Sequence, residues 1–291
     1  MDSRFQSIDH KLTNFNGYFP TWCPGCGNFG IWAGVKAAFK NLGITADNVA
    51  VIFGIGCSGN MNDFLWGNSF HALHGRAVPV AVGVKIANHK LPVVAIVGDG
   101  DCYGEGGNHL IHAARGNHDI TTVVHDNRVY GLTTGQVAPT ALQGFKSKST
   151  PSGIIEIPLN PIALAIISGA TFVAQGFAGD INHLTGLIEE AIVHKGFSLV
   201  NIFQPCVTFN PITTYDWYNK RVYKLSDKNH DTHDLKSALG KSMEFGEKIP
   251  IGVIYQEDRP TYTESLPQLQ KGVLVDADLN IDIDTFATEF V

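Results

Sequence analysis

A run of residues long and apolar enough to cross a bilayer is missing from this 291-residue chain. No stretch approaches the roughly 18 apolar residues a transmembrane helix needs. Charge is sparse as well: charged residues make up 16% and the net charge is −6, so the basic excess of a nucleic-acid surface is absent. The segment from Met1 to Asn16 is polar and has no apolar signal core, which predicts a cytoplasmic protein. In that compartment five cysteines point away from disulfides and toward metal or redox chemistry. What the chain does have is a hydrophobic content of 44% and 31 glycines. The first is enough for an ample core, and the second suits a protein whose loops approach ligands closely.

The most informative segment reads Val93-Val94-Ala95-Ile96-Val97-Gly98-Asp99-Gly100-Asp101, then a Gly-rich helical stretch near Asn108–Arg115, then Thr121-Thr122-Val123-Val124-His125-Asp126-Asn127. Two β-branched runs joined by a helix-length connection form a βαβ unit with parallel strands. Asp99 and Asn127 therefore arrive at the same sheet edge, where a carboxylate and an amide oxygen suit a hard cation such as Mg²⁺. The glycines beside Asp99 allow backbone to approach a phosphate. Together they predict a site for a metal-bridged diphosphate.

Around this unit the pattern alternates. Residues 1–26 are an irregular lead-in. Ile31, Val35, Ala38, Phe39 and Leu42 recur at helical spacing up to a C-cap glycine, Gly43. Val49–Phe53 reads as strand, and Arg76–Asn88 as a helix kinked by Pro79 or starting near it. The stretch from Asn127 to Pro158 has little periodicity and reads as a functional loop. Asn160–Ser168 and Ile181–His194 read as helices, Thr171–Ala174 and Ser198–Phe203 as strands. Such alternation predicts an α/β fold with a doubly wound, mainly parallel sheet. It occupies residues 1–225; residues 226–291, with one apolar run at Ile251–Tyr255, are expected to form a C-terminal arm packing on the domain or on a partner.

Cys57, Asp99, Asn127 and Cys206 all follow predicted parallel strands, at the edge where open α/β sheets bind ligands. Cys23 and Cys26 have the spacing of a chelating thiolate pair, which suits zinc or an iron–sulfur centre. The remaining cysteines stand singly, and thiolates gathered from distant loops fit a [4Fe-4S] cluster better than a local zinc clip. Cys102 reads as a small residue of the diphosphate loop. Among the histidines, His74 stands out because it immediately precedes a helix N-terminus that could face an anion.

Several motifs, in order along the chain, resemble the β subunit of 2-oxoacid:ferredoxin oxidoreductases. They are Trp22-Cys23-Pro24-Gly25-Cys26-Gly27, Gly54-Ile55-Gly56-Cys57-Ser58, His71-Ala72-Leu73-His74-Gly75-Arg76, Gly98-Asp99-Gly100-Asp101, Gly107-Asn108-His109-Leu110-Ile111-His112-Ala113 and Tyr130-Gly131-Leu132-Thr133. Lys148-Ser149-Thr150-Pro151 and Ile249-Pro250-Ile251-Gly252-Val253 extend the match. The resemblance implies a thiamine diphosphate-binding domain of the diphosphate type carrying one [4Fe-4S] cluster. It makes Cys23, Cys26, Cys57 and Cys206 the cluster ligands, and Asp99, Asn127 and the Val129 carbonyl the Mg²⁺ ligands. Thiamine diphosphate would be held by Ile55, Gly56, Cys57, Ser58, His74, Gly100, Asp101, Gly131 and Leu132.

The activity implied is oxidative decarboxylation of a 2-oxoacid, or the reverse carboxylation. The acyl group goes to coenzyme A and electrons pass through the cluster to ferredoxin. A larger α subunit would supply the pyrimidine-binding domain and an activating glutamate, in an (αβ)₂ assembly, so no catalytic residue is assigned within this chain. Relatives often carry a basic residue where Asn60 and Thr134 stand. Here both are neutral, so a substrate carboxylate would meet hydrogen bonds from Asn60 and Thr134, or cations of the α subunit. Ser149-Thr150-Pro151, Asn160-Pro161 and Ala170-Thr171-Phe172-Val173 resemble the 2-oxoglutarate branch, with pyruvate as the alternative substrate. The readings from other classes are a non-redox thiamine diphosphate decarboxylase or synthase, and a zinc-stabilised assembly module.

Overall fold

The computed structural model describes residues 14–278 together with 283, 287 and 288; the first thirteen residues of the polar lead-in and most of the last thirteen of the arm lie outside the described residues. The chain first lays down four strands, β1 (Ala50–Phe53), β2 (Asn68–His71), β3 (Val93–Gly98) and β4 (Thr121–Asp126), of which β3 and β4 are rich in β-branched residues. A small antiparallel pair follows, β5 (Val129–Tyr130) with β6 (Gln136–Val137), and then β7 (Phe172–Phe177), β8 (Ser198–Phe203), β9 (Val222–Lys224) and β10 (Ile249–Gln256). Eight of these form one sheet in the order β2-β1-β3-β4-β8-β7-β10-β9. Pairing from β2 through to β7 is parallel, while β10 runs antiparallel to β7. β4, β7 and β8 are buried along their whole length, as strands covered on both faces must be.

The covering helices explain why. On one face α1 (Asn28–Asn41) packs beside α6 (Ile181–Val193). In α6, Leu184, Leu187, Ile188 and Ala191 recur every three to four residues and are buried against Val200, Ile202 and the α1 side chains. Each fully buried leucine or isoleucine of this kind contributes about 1.5–3 kcal/mol. The Asp180 side chain accepts from the His183 N–H and starts this helix. The other face is closed by α3 (Ala77–Ala87), α4 (Gly107–Arg115) and α5 (Pro161–Ile167). Pro79 sits in the first turn of α3, where its missing N–H costs nothing, so the helix starts there.

Three features depart from the periodic reading. β2 is an exposed edge strand, Asn68-Ser69-Phe70-His71, with no apolar alternation to announce it. Gly100–Glu105 is a turn of π-helix leading into α4, a form common at functional sites. Within residues 226–278, the run Ile249–Gln256 lies inside the sheet between β7 and β9, preceded by an amphipathic helix over Leu235–Ser242. Its residues are mostly buried because they complete the sheet rather than hang from it.

Register fixes where the site lies. Phe53 stands opposite Ile96, Gly98 opposite His125, and Asp126 opposite Phe203. β1, β3, β4 and β8 thus end together, and the loops that begin at Gly54, Asp99, Asn127 and Gln204 meet along one edge. Among the described residues no helix is long and apolar enough to cross a membrane.

Candidate active site

Asp99 is the first residue beyond β3 and is 1% exposed. Its Oδ2 accepts from the Arg128 backbone N–H at 3.0 Å and from the Thr140 hydroxyl. Arg128 can offer that N–H because its backbone is left-handed, with φ +68°. Its side chain holds the turn in place: Nη1 donates to the Thr140 carbonyl at 3.0 Å, Nε donates to the Tyr218 hydroxyl at 3.2 Å, and the guanidinium lies 4.4 Å from the Phe245 ring centroid. The next N–H, that of Val129, donates to the Asn127 Oδ1 at 3.0 Å. Asn210 anchors the Asn127 carbonyl at 3.1 Å. Burial, and then the Asp126 carboxylate, push the Asp99 carboxyl up to about 8. A bound cation would offset both, and the donors gathered here are oxygens of the kind Mg²⁺ takes.

One cleft opens beside this pair. It is lined by Ile55, Gly56, Cys57 and Ser58 after β1, by Gly100 and Asp101 after β3, by Gly131 and Leu132 after β5, and by His74. Asp99, Asn127 and Val129 line it too. Gly56 has φ +96°, a conformation that turns the chain sharply into the cleft and favours glycine. The Ser58 hydroxyl is buried and has no hydrogen-bond partner, a polar group free for a ligand. Asp101 Oδ1 accepts from the Gly75 N–H at 2.7 Å, tying the His74 loop to the π-helical turn, and burial raises its carboxyl above the usual range. His74 and Leu132 stand exposed at the mouth. Asn60 and Thr134 are placed differently: neither lines the cleft, Asn60 precedes the short helix α2 (Met61–Phe64), and Thr134 is an exposed turn residue with φ +77°.

Sequence reasoning missed Glu105, Tyr130 and Thr133 as lining residues of the same cleft. Glu105 Oε2 lies 2.7 Å from His74 Nδ1 and orients the ring. The Tyr130 hydroxyl donates to the Gly100 carbonyl at 3.2 Å. Thr140 was missed because it sits in the aperiodic loop, where only the fold reveals its approach to Asp99.

The cysteines form a second group beside the first. The Cys26 N–H donates to the Cys23 carbonyl at 3.0 Å, closing a turn in which Gly25 takes φ +80°. The Gly27 N–H donates to the Pro205 carbonyl at 3.1 Å, joining this turn to the Cys206 loop. Trp22 Nε1 donates to the Cys57 carbonyl at 2.7 Å. Burial, reinforced by Cys206, Cys57 and Cys23, pushes the Cys26 thiol up to about 12; burial with Cys206 and Cys23 pushes Cys57 up to about 11. These thiols therefore face one another closely enough to oppose each other's ionisation, which a soft metal centre would reverse. Cys102, fully buried in the π-helical turn, has its thiol pushed up by burial and then by the Asp101 and Asp99 carboxylates rather than by other cysteines, and stands outside the group. Gly131 lies between the two groups: a methyl at its α-carbon would stand 3.3 Å from the Cys57 sulfur, 3.8 Å from that of Cys206 and 3.9 Å from the Asn127 amide nitrogen.

Comparison with known proteins places this arrangement. Residues 54–202 match the thiamine pyrophosphate enzyme family, C-terminal TPP binding domain, and residues 206–271 match the C-terminal family of the pyruvate ferredoxin oxidoreductase beta subunit. The fold and cleft are thus those of a thiamine diphosphate-binding enzyme domain. A 2-oxoacid:ferredoxin oxidoreductase subunit beta from Sulfolobus sp is 46% identical over 268 residues, covering 88% of each chain. The 2-oxoglutarate synthase subunit KorB of Archaeoglobus fulgidus is 43% identical over 249 residues, covering 86% of this chain and 89% of the relative. A solved 2-oxoglutarate:ferredoxin oxidoreductase from Magnetococcus marinus, with 2-oxoglutarate, coenzyme A and succinyl-CoA bound, superposes with a TM-score of 0.89 at 39% identity over 98% of this chain and 97% of the other. The chain belongs to the 2-oxoacid:ferredoxin oxidoreductase β subunits. It is an enzyme subunit.

Proposed function

We propose that this chain carries the diphosphate half of the thiamine diphosphate site and the iron–sulfur centre of an enzyme acting on 2-oxoglutarate, CoA and a ferredoxin in the cytoplasm. The observation that carries this reading is the meeting of an oxygen-donor group and a sulfur-donor group at Gly131, with the loop Ile55–Ser58 shared by both.

In this reading Asp99, Asn127 and the Val129 carbonyl hold Mg²⁺, and Cys23, Cys26, Cys57 and Cys206 hold a [4Fe-4S] cluster. When bound, thiamine diphosphate supplies the electron sink for decarboxylation and the cluster supplies one-electron transfer. This chain's own residues do the placing. The Arg128 and Thr140 donors fix Asp99 Oδ2, which orients the carboxylate as a ligand before any metal arrives. The Ser58 hydroxyl and the His74 ring, the latter steadied by Glu105, offer donors to the diphosphate. Because Cys57 and Ser58 are adjacent, one loop positions both groups and keeps the electron path short. The exposed mouth at His74 and Leu132 suits completion by an α subunit that brings the pyrimidine-binding half, in an (αβ)₂ assembly. The likeness to the 2-oxoglutarate-named relatives favours that substrate over pyruvate. Asn60 and Thr134, off the cleft lining, are proposed to meet the substrate only once the site is closed by the α subunit.

The test is the anaerobically purified αβ complex. Iron, acid-labile sulfide and visible absorption that bleaches with reductant are expected, with CoA-dependent oxidation of 2-oxoglutarate exceeding that of pyruvate. A colourless, zinc-loaded complex would overturn the cluster reading, and a preference for pyruvate would overturn the substrate.

A further inference from the structure

Gln204 is the first residue beyond β8, immediately before Pro205 and Cys206, and is 2% exposed. Its backbone N–H donates to the Asp126 carbonyl at 2.9 Å, which fixes where its side chain starts. Its side-chain Nε2 lies 3.3 Å from the Cys26 sulfur and 2.9 Å from the Pro205 carbonyl oxygen. The Pro205 carbonyl can only accept, as can a cysteine thiolate, so the amide faces both with its N–H₂ end; the flipped orientation would set oxygen against the carbonyl oxygen. The Oε1 end is buried without a partner, so the N–H contacts alone hold the group. Space for it comes from Gly27, where a methyl would stand 2.8 Å from Gln204 Cγ. The amide thus bridges the Cys23–Cys26 turn to the Cys206 loop.

We propose that Gln204 donates a hydrogen bond to the Cys26 thiolate and thereby raises the reduction potential of the iron–sulfur centre. The proposal rests on the cluster reading above. Reduction adds negative charge that spreads onto the thiolate sulfurs, and an N–H donor aimed at one of them stabilises the reduced form more than the oxidised form. Burial strengthens that preference, because no water competes for the sulfur. Removing the donor makes the centre a weaker acceptor of electrons released by substrate oxidation. It also makes it a stronger donor to a low-potential carrier. Gln204 is therefore a positioning residue that tunes the direction in which the pair of half-reactions runs most easily.

The experiment uses the anaerobic αβ complex as wild type, Gln204→Met and Gln204→Glu. Iron and sulfide are quantified in each, and the midpoint potential is read by a redox titration followed by electron paramagnetic resonance. Met keeps the volume without the donor; Glu replaces the donor by an acceptor and adds a charge. The expected result is full cluster content with potentials falling in the order wild type, Gln204→Met, Gln204→Glu. Full clusters with unchanged potentials in both variants would overturn the proposal. A residue that only shaped the loop would lower iron content without that ordering. Should the variants fail to load, the reduced wild-type complex labelled with ¹⁵N in glutamine side chains decides: a hyperfine coupling from the amide nitrogen supports the hydrogen bond, and none overturns it. Absence of iron from the wild type would instead strike at the cluster reading itself.

Discussion

The oxygen-donor group around Asp99 and the sulfur-donor group around Cys26 share a sheet edge and are built in different ways. Asp99 and Asn127 follow adjacent strands in register, and their side chains are fixed by buried hydrogen bonds from Arg128, Thr140 and Val129. The site is pre-arranged, and a cation bound there would relieve a penalty the fold already bears. The cysteines come from a lead-in turn and two strand-end loops, held by a few backbone hydrogen bonds, with Cys23 exposed. Apart from the Gln204 amide at Cys26, it is the bound group of the proposed reading that would draw the four sulfurs together. On that reading the first site is specified by the sheet, and the second largely by its occupant.

The largest effect expected from this contrast is at Cys206. Cys206→Ala in the αβ complex should remove essentially all bound iron and lower the thermal midpoint, while thiamine diphosphate binding measured with excess Mg²⁺ changes less than about tenfold. Next comes Thr140→Val, which takes one donor from Asp99 Oδ2. Loss of such an outer partner typically costs 10–100-fold in metal affinity, so the Mg²⁺ dependence of cofactor binding should weaken by about that factor at unchanged iron content.

A pH effect of similar size follows from Asp99. Its carboxyl is raised in the fold from 3.8 to about 8 by burial and Asp126, so the metal-free protein binds more protons than the unfolded chain across that window. Stability from this group is therefore fully present below the unfolded value and lost as pH rises through about 8. Mg²⁺ must displace the proton, so its apparent affinity should climb about tenfold per pH unit below 8 and level off above it. Calorimetry in buffers of different ionisation enthalpy should show about one proton released near neutral pH. The smallest effect is at Gly131, the residue common to both groups. A methyl there would press on the Cys57 sulfur from 3.3 Å, so Gly131→Ala should lower iron and cofactor retention together, each by less than about tenfold. A change in one alone would show that the groups are less closely joined than the structure has them.

Much of this was legible in the chain. The β-branched runs of β3 and β4 give parallel strands, and parallel strands put Asp99 and Asn127 side by side. The strands ending at Phe53 and Phe203 bring Cys57 and Cys206 to the same edge by the same logic. β2 was not legible, because an exposed edge strand needs no apolar pattern. Nor was the place of Ile249–Gln256 in the sheet, since its partners, β7 and β9, are set by tertiary packing. Thr140 and Arg128 were hidden for a different reason: their contribution rests on a left-handed turn and on long-range hydrogen bonds, which leave no periodic trace. Glu105 and Gln204 act on their neighbours through single contacts, and a sequence carries no signal for those.

The oxygen-donor and sulfur-donor groups are separately held although both border Gly131. Asp99→Ala in the anaerobic αβ complex, with iron and thiamine diphosphate quantified in the same sample, tests this most directly. Full iron content and no retained cofactor are expected. Retention of thiamine diphosphate, or loss of iron along with it, would show that the two groups are not separately held.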